Sequence, residues 1–409
     1  MLNFIYFCVN RIDTLAIRGI ILSFFLLFLK TEAGAHTITF NFYSIVLELK
    51  TDSSIYVELP KELKEQHIAA FYEQLTCSNY QPLINQLTSY KKQYNLNDWF
   101  YYQLVRKASE AISPKVKHYE QYTLYKWFLM GKSGYDVKLS ANSNQLLFYI
   151  KSNENIYDIP FFTQNGNQYV CLNYHDFGSI DFKKNAAFEV NVKIPEGDQA
   201  FTYKVTQIPD FSSEAYTEKS LQFEYKQQLY TFQVKVNPQV QNIFQNYPVV
   251  DFDTYFNIPV SGTTYASLIP LLKQQLQHLS EKEGVDYLMH FSRYAFGFET
   301  DQQQFGKEKR LSPEQTLLYS KSDCDDRASL FFYLVKEIYN RPMIVLLYPT
   351  HVTIAVQFES SAGKHIVYNG KKYYICEPTP QAGDLRIGQI APKLRKAEYQ
   401  VVYAYTPGE

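Results

Sequence analysis

Two hydrophobic periods follow one another between residues 324 and 378. Ala328, Phe331, Phe332, Val335 and Ile338 recur at three- and four-residue steps, with Lys336 and Glu337 opposite, which predicts an amphipathic helix over 325–339. Met343 to Tyr348 is an unbroken apolar run fit for a buried strand. After Pro349-Thr350 the period drops to two: Val352, Ile354, Val356 and Phe358 point one way, and His351, Thr353, Ala355 and Gln357 the other. Asn369-Gly370, a strong tight-turn pair, joins Lys364–Tyr368 to Lys371–Cys376, and the second of these strands runs out at Glu377-Pro378. A helix followed by antiparallel strands predicts an α+β fold with the helix packed on the sheet.

The same succession appears earlier in the chain. Ile38–Phe42 echoes Leu221–Tyr225, each opening a two-stranded element, and Pro82–Leu87 echoes Ser267–Leu272, each opening a helical stretch. Leu124–Leu139 parallels Leu330–Leu346, Asn165-Gly166 parallels Asn369-Gly370, and Gly178 parallels Gly388. Order is preserved throughout, which predicts a duplication. The expected division is 36–198 for a degenerate first copy, 199–255 for a β-rich connector and 256–409 for a second copy. Strands are expected at Phe201–Val205 and within Leu221–Val236.

Length agrees with two units, because 409 residues exceed the ~250–300 at which a single core stops growing. Lys plus Arg number 40 against 41 for Asp plus Glu, with no basic stripe, so nucleic acid is not an expected partner. The 36 Tyr and 30 Phe are explained by ordinary core burial. Arg11 and Arg18 precede an apolar stretch, Gly19–Leu29, that leads to Ala33-Gly34-Ala35. That grammar predicts a signal peptide over 1–35 and an exported chain, periplasmic or secreted. The apolar Met1–Val9 keeps an N-terminal membrane anchor as the alternative.

Candidate chemistry centres on Cys324, in Ser322-Asp323-Cys324-Asp325-Asp326-Arg327-Ala328. Ser322 with Asp325 has the spacing of a capping box, which puts the sulfur at a helix N-terminus, where the dipole and orphan amides favour a thiolate. The flanking aspartates oppose ionisation, so a cationic partner is needed, and His351 is the candidate. Glu377, at a strand end, can orient that imidazole. A metal site built from Cys324, Asp325, Asp326 and His351 matches no usual zinc spacing, and neither metal nor cofactor is expected. Cys77 and Cys171 could pair in an oxidising compartment, though spacing alone does not establish it. In the first copy the equivalents of Cys324, His351 and Glu377 fall near His118, Gln145 and Asn173, without the chemistry.

From about Tyr287 to Ile390 the chain resembles the transglutaminase-like superfamily, whose core is the papain-like cysteine-hydrolase fold. The resemblance is carried by Asp-Cys-Asp-Asp-Arg-Ala at 323–328, His-Val-Thr-Ile-Ala-Val at 351–356 and Tyr-Tyr-Ile-Cys-Glu-Pro-Thr at 373–379. Gln304–Lys309 and Pro313–Leu317 look like the approach to the nucleophile in exported bacterial members. The resemblance implies a nucleophile in Cys324, a general base and acid in His351, and an orienting carboxylate in Glu377, where the family usually has Asp. It implies acyl transfer on amide bonds of a protein or peptide substrate through a thioester, released to water or to an amine. The Cys324 N–H and the Gln304 side chain are candidate oxyanion donors. The alternative is a catalytically inactive binding or scaffold module. Oligomeric state is not indicated.

Overall fold

The computed structural model describes residues 34–43, 45–142, 145–178, 188–209, 212–359 and 363–408. Residues 1–33 of the expected leader lie outside the described residues. No helix among the described residues is long and apolar enough to cross a membrane. The chain is α+β, with eleven α-helices and several antiparallel sheets among the described residues.

The predicted helix forms over Cys324–Tyr339 and ends on Asn340 in the left-handed conformation, whose N–H closes on the Lys336 and Val335 carbonyls. Its cap is Asp323 rather than Ser322. The Asp323 carboxylate accepts from the Asp325 and Asp326 amides, and the Asp326 side chain returns to the Asp323 N–H. The capping box is therefore shifted by one residue, and Cys324 becomes the first residue of the helix.

After the helix come Met343–Tyr348 and His351–Gln357, a hairpin in which Tyr348 faces His351 across the two-residue turn. The five-stranded sheet runs in the order His365–Tyr368, Lys371–Cys376, His351–Gln357, Met343–Tyr348, Gln400–Tyr405, every pair antiparallel. Asn369 and Gly370 both take left-handed φ, 47° and 74°, as the twist-matched hairpin turn requires. Val352, Ile354 and Val356 face the core shared with the helix. Ile344, Leu346, Ala355 and Ile375 face a second layer closed by Ile390 and Leu394. Burial on both faces explains why Met343–Tyr348 reads as a continuous apolar run.

A second five-stranded antiparallel sheet lies in the N-terminal half, in the order Phe161–Gln164, Asn167–Cys171, Leu146–Lys151, Val137–Ala141, Phe188–Glu189. Position for position along the chain this is the same strand order. The helix Tyr119–Lys132 precedes it as Cys324–Tyr339 precedes the other, and Asn165 and Gly166 repeat the left-handed turn at 51° and 78°. In each half a two-stranded hairpin, 35–52 or 217–236, packs against two successive helices: Gln81–Gln93 and Asp98–Ile112, or Gly262–Leu276 and Glu281–Tyr294. The hairpin expected in the connector thus packs on the C-terminal helices. Residues 201–205 form no ladder. Phe201 makes one isolated parallel bridge to Ser152, although alternate side chains there are buried as the pattern suggested.

Helix Glu281–Tyr294 lies against the Cys324 helix, and the Tyr339 side chain packs over Gly284. A Cβ on Gly284 would fall 1.6 Å from the Tyr339 hydroxyl. Gly284→Ala is expected to destabilise the protein by about 1–3 kcal/mol, overpacking outweighing the better helix propensity. Urea titration with unchanged slope checks this, and Tyr339→Phe in the same chain should recover part of the loss.

Candidate active site

Three elements deliver three side chains to one place. The helix N-terminus supplies Cys324, the hairpin turn 349–350 supplies His351 at the first position of its strand, and the end of Lys371–Cys376 supplies Glu377. Cys324 and His351 line a cavity of about 580 Å³, together with Phe298, Arg310, Asp325 and Gln381 among others. His351 Nε2 donates to Glu377 Oε2 at 2.7 Å, and Glu377 Oε1 accepts the Thr379 amide at 3.0 Å. His351 is 5% and Glu377 2% exposed, so this pair is shielded from solvent competition. With Nε2 engaged as a donor, Nδ1 carries the free lone pair of the neutral ring.

Glu377 is held from behind by Arg293, on the last turn of helix Glu281–Tyr294. Arg293 donates to the Glu377 carbonyl from Nε at 3.1 Å and also from Nη2, to the Leu385 carbonyl at 3.1 Å, and to the Asp384 carboxylate. Asp384 also accepts from Tyr294 and meets His290 Nε2. Arg327, three residues beyond the thiol, is fully buried and donates to the carbonyls of Ser292, Arg293, Phe296, Gly297 and Ser322.

The surroundings of the sulfur are acidic. Cys324 Sγ donates to Asp325 Oδ1 at 3.3 Å. Burial, then the charges of Asp325 and Asp323, push the thiol well above its ordinary range, against a smaller opposing effect of the Val352 amide. Arg310 supplies a counter-charge to Asp325, its Nε 3.6 Å from Asp325 Oδ2 while its guanidinium stacks on Phe252 and donates to the Val250 carbonyl. Behind Asp323, the carboxylates of Asp301, Asp323 and Asp326 have oxygens within 4.8 Å of one another, as do the ligand atoms of Asp323, Cys324 and Asp325. Such groups could hold a cation. The same carboxylates already tie backbone amides, Asp326 that of Leu311, Asp301 that of Lys309 and Asp323 those of Asp325 and Asp326, which accounts for them as loop anchors. His351 is engaged with Glu377 instead.

Gln304 ends the one-turn helix Asp301–Gln304, with its Oε1 buried and unpartnered, and it does not line the cavity; Gln302 and Gln381 do. Cys376 fills the core. Cys77 is exposed, Cys171 is buried, and neither is in a disulfide. In the N-terminal half, Tyr119 takes the first helical position, with His118 as its cap. The Tyr119 hydroxyl donates to Asp176 at 2.9 Å and accepts from Asn173 Nδ2 at 2.9 Å, while Asn173 Oδ1 accepts the Phe148 amide. Gln145 hydrogen-bonds with Asn142 at the start of the neighbouring strand.

No family model matches the chain, and no curated protein matches it at a significant level.

Burial, then the charge of Asp323 on Asp301 and of Asp325 on Asp323, pushes both carboxyls up to about 7. A carboxyl whose folded-state pKa lies above the unfolded value near 4 favours the fold below that value and loses its contribution as pH rises through 7. Melting temperature should therefore fall between pH 4 and 7 on account of these groups. Asp301→Asn, which keeps an acceptor for the Lys309 amide, should flatten that fall, and a slope identical to wild type in differential scanning calorimetry would count against it.

Proposed function

We infer that the chain is a thiol-dependent acyl-transfer enzyme acting on amide bonds, with Cys324 as nucleophile, His351 as general base and acid, and Glu377 as the group that orients the imidazole. The observation that carries this reading is the 2.7 Å His351–Glu377 contact at the wall of a cavity into which a helix N-terminus also delivers Cys324. The arrangement supports a papain-like core of the transglutaminase-like type, and the matching strand orders support descent of the N-terminal half by duplication. There the thiol position is a tyrosine and the acid position an asparagine, so that copy is read as non-catalytic.

In the reaction, His351 Nδ1 takes the thiol proton as sulfur attacks the amide carbon, and the imidazolium then protonates the departing amine. Glu377 stabilises the imidazolium and fixes which nitrogen faces the sulfur. The Cys324 amide, at an unsatisfied helix end, is available to the developing oxyanion. Water would resolve the thioester to an acid and an amine would resolve it to a new amide. Export to the periplasm or outside the cell, or anchoring through the N-terminal apolar segment, belongs to the same reading of residues 1–35.

At rest the thiol is held protonated by its burial and then by the charges of Asp325 and Asp323, so the acid flank adds a brake. Asp325→Asn should raise the rate of Cys324 alkylation at pH 7 by about tenfold, the effect of one unit of thiol pKa. His351→Ala in that background should abolish whatever reactivity persists below pH 6. Mass-spectrometric alkylation rates from pH 4 to 9 decide it: an inert thiol in both chains, indifferent to His351, would leave the inactive binding module as the reading. Arg293→Met, made in a chain that does show His351-dependent reactivity, should lower it at least tenfold below pH 7 while leaving the rate at pH 9 unchanged.

A further inference from the structure

The geometry points to a second site, independent of the thiol: a cavity of about 600 Å³ between hairpin 35–52, helix Asp98–Ile112 and the segment 239–246, shaped to bind a sugar acid, a hydroxyl-rich ring bearing one carboxylate. Its volume lies within the range of small-molecule sites. Gln103 is the most telling residue. It lines the cavity while only 8% exposed, its Oε1 accepts from Arg106 Nη1 at 2.9 Å, and its Nε2 is buried without a partner. A desolvated donor left unpaired is costly, and an acceptor supplied by a ligand would satisfy it.

Arg106 beside it has no carboxylate partner among the described residues; its Nε reaches only the Tyr122 hydroxyl, at 3.5 Å. Lys107 and Lys115 also line the cavity but are paired with Glu110 and Asp176, at 3.7 and 2.6 Å, so Arg106 is the charge at the wall that an anionic group would meet. The opposite wall is of another kind. Asn242, Gln245 and Asn246 present side-chain amides, each with both donors and an acceptor, which suits hydroxyl groups that donate and accept in turn. A bare carboxylate or a phosphate would use the donors alone. Phe42 and Tyr43 offer an aromatic face for ring C–H groups.

The C-terminal half holds a cavity in the same place relative to its own hairpin and helix, and there the polar groups satisfy one another. Tyr225 bonds Asp286, Lys226 pairs with Glu283, and His290 meets Asp384. The N-terminal cavity keeps an orphan donor beside a guanidinium whose hydrogen-bond partners, Gln103 and Tyr122, are both neutral.

Calorimetric titration of the full chain with glucuronate, glucose, acetate, triglycine and a galacturonate tetramer tests this. Glucuronate should bind at least tenfold more tightly than glucose or acetate, and Arg106→Gln, Gln103→Met and the exposed-rim variant Lys107→Gln should each weaken it. Lys107→Gln serves where a buried substitution unfolds the chain, as read by circular dichroism. Tighter binding of the tetramer would assign the end of an acidic glycan as the source, and equal affinity per ring a free sugar acid. Absence of binding, preference for triglycine or acetate, or affinity unchanged in all folded variants would overturn the proposal.

Discussion

Everything at the thiol depends on one buried cation, Arg327. Its guanidinium has no carboxylate in hydrogen-bond contact. It donates to five main-chain carbonyls, four of them at the end of helix Glu281–Tyr294 and in the turn that follows. Those are the orphan carbonyls of a helix C-terminus, where the macrodipole is negative, so the cation is stabilised by the end of one helix while belonging to the first turn of another. Burial lowers its pKa to about 10, offset chiefly by Asp326 and Asp323, and it stays charged at neutral pH. Removing it would strip partners from several buried carbonyls at once, the situation in which hydrogen-bond loss is most costly. Arg293, on the same last turn, reaches forward to the Glu377 carbonyl. One helix end thus fixes both Cys324 and Glu377.

The acidic flank follows from that constraint. Asp326, next to the buried Arg327 and with no exposure, ties the Leu311 and Asp323 amides, while burial and the charges of Asp323 and Asp301 hold its carboxyl well above the usual range. Ionisation of Cys324 is opposed by its burial and then by Asp325 and Asp323, of which Asp323 is required as the helix cap. Asp325 is different. It points at the sulfur and at Arg310 and carries no backbone amide, so its charge bears on reactivity more than on architecture.

Local signals in the sequence were enough for the elements that carry Cys324, His351 and Glu377, because each rests on periodicity or turn chemistry within a few residues. The two arginines were not legible. Their partners are carbonyls, which every residue has, and Arg293 finds its own 84 positions away, so no side-chain pattern marks the contact. Choosing between Ser322 and Asp323 as the cap was equally beyond a local reading. Both are good N-caps one residue apart, and the decision came from Asp326, whose carboxylate is also needed by Leu311, 15 residues upstream. Gln304 failed to reach the cavity because its one-turn helix turns Gln302 toward it instead.

The N-terminal half bears on the thiol through the main chain. Tyr157 donates to the Val249 carbonyl at 3.1 Å, and Asp158 accepts the Val249 amide at 2.8 Å. Asn155 and the Tyr157 hydroxyl both hold Asp251, at 3.0 and 2.6 Å. That strip, 249–251, is where Arg310 anchors, through the Val250 carbonyl at 2.8 Å, before its guanidinium reaches Asp325 and hence the sulfur. Apolar burial runs without a break across the two halves, with Trp99 donating to the Ile243 carbonyl. The N-terminal half, with Tyr119 at the first position of its helix, therefore has two physical roles. It closes the core shared by the two halves, and it sets the position of Arg310, which meets Asp325 beside Cys324.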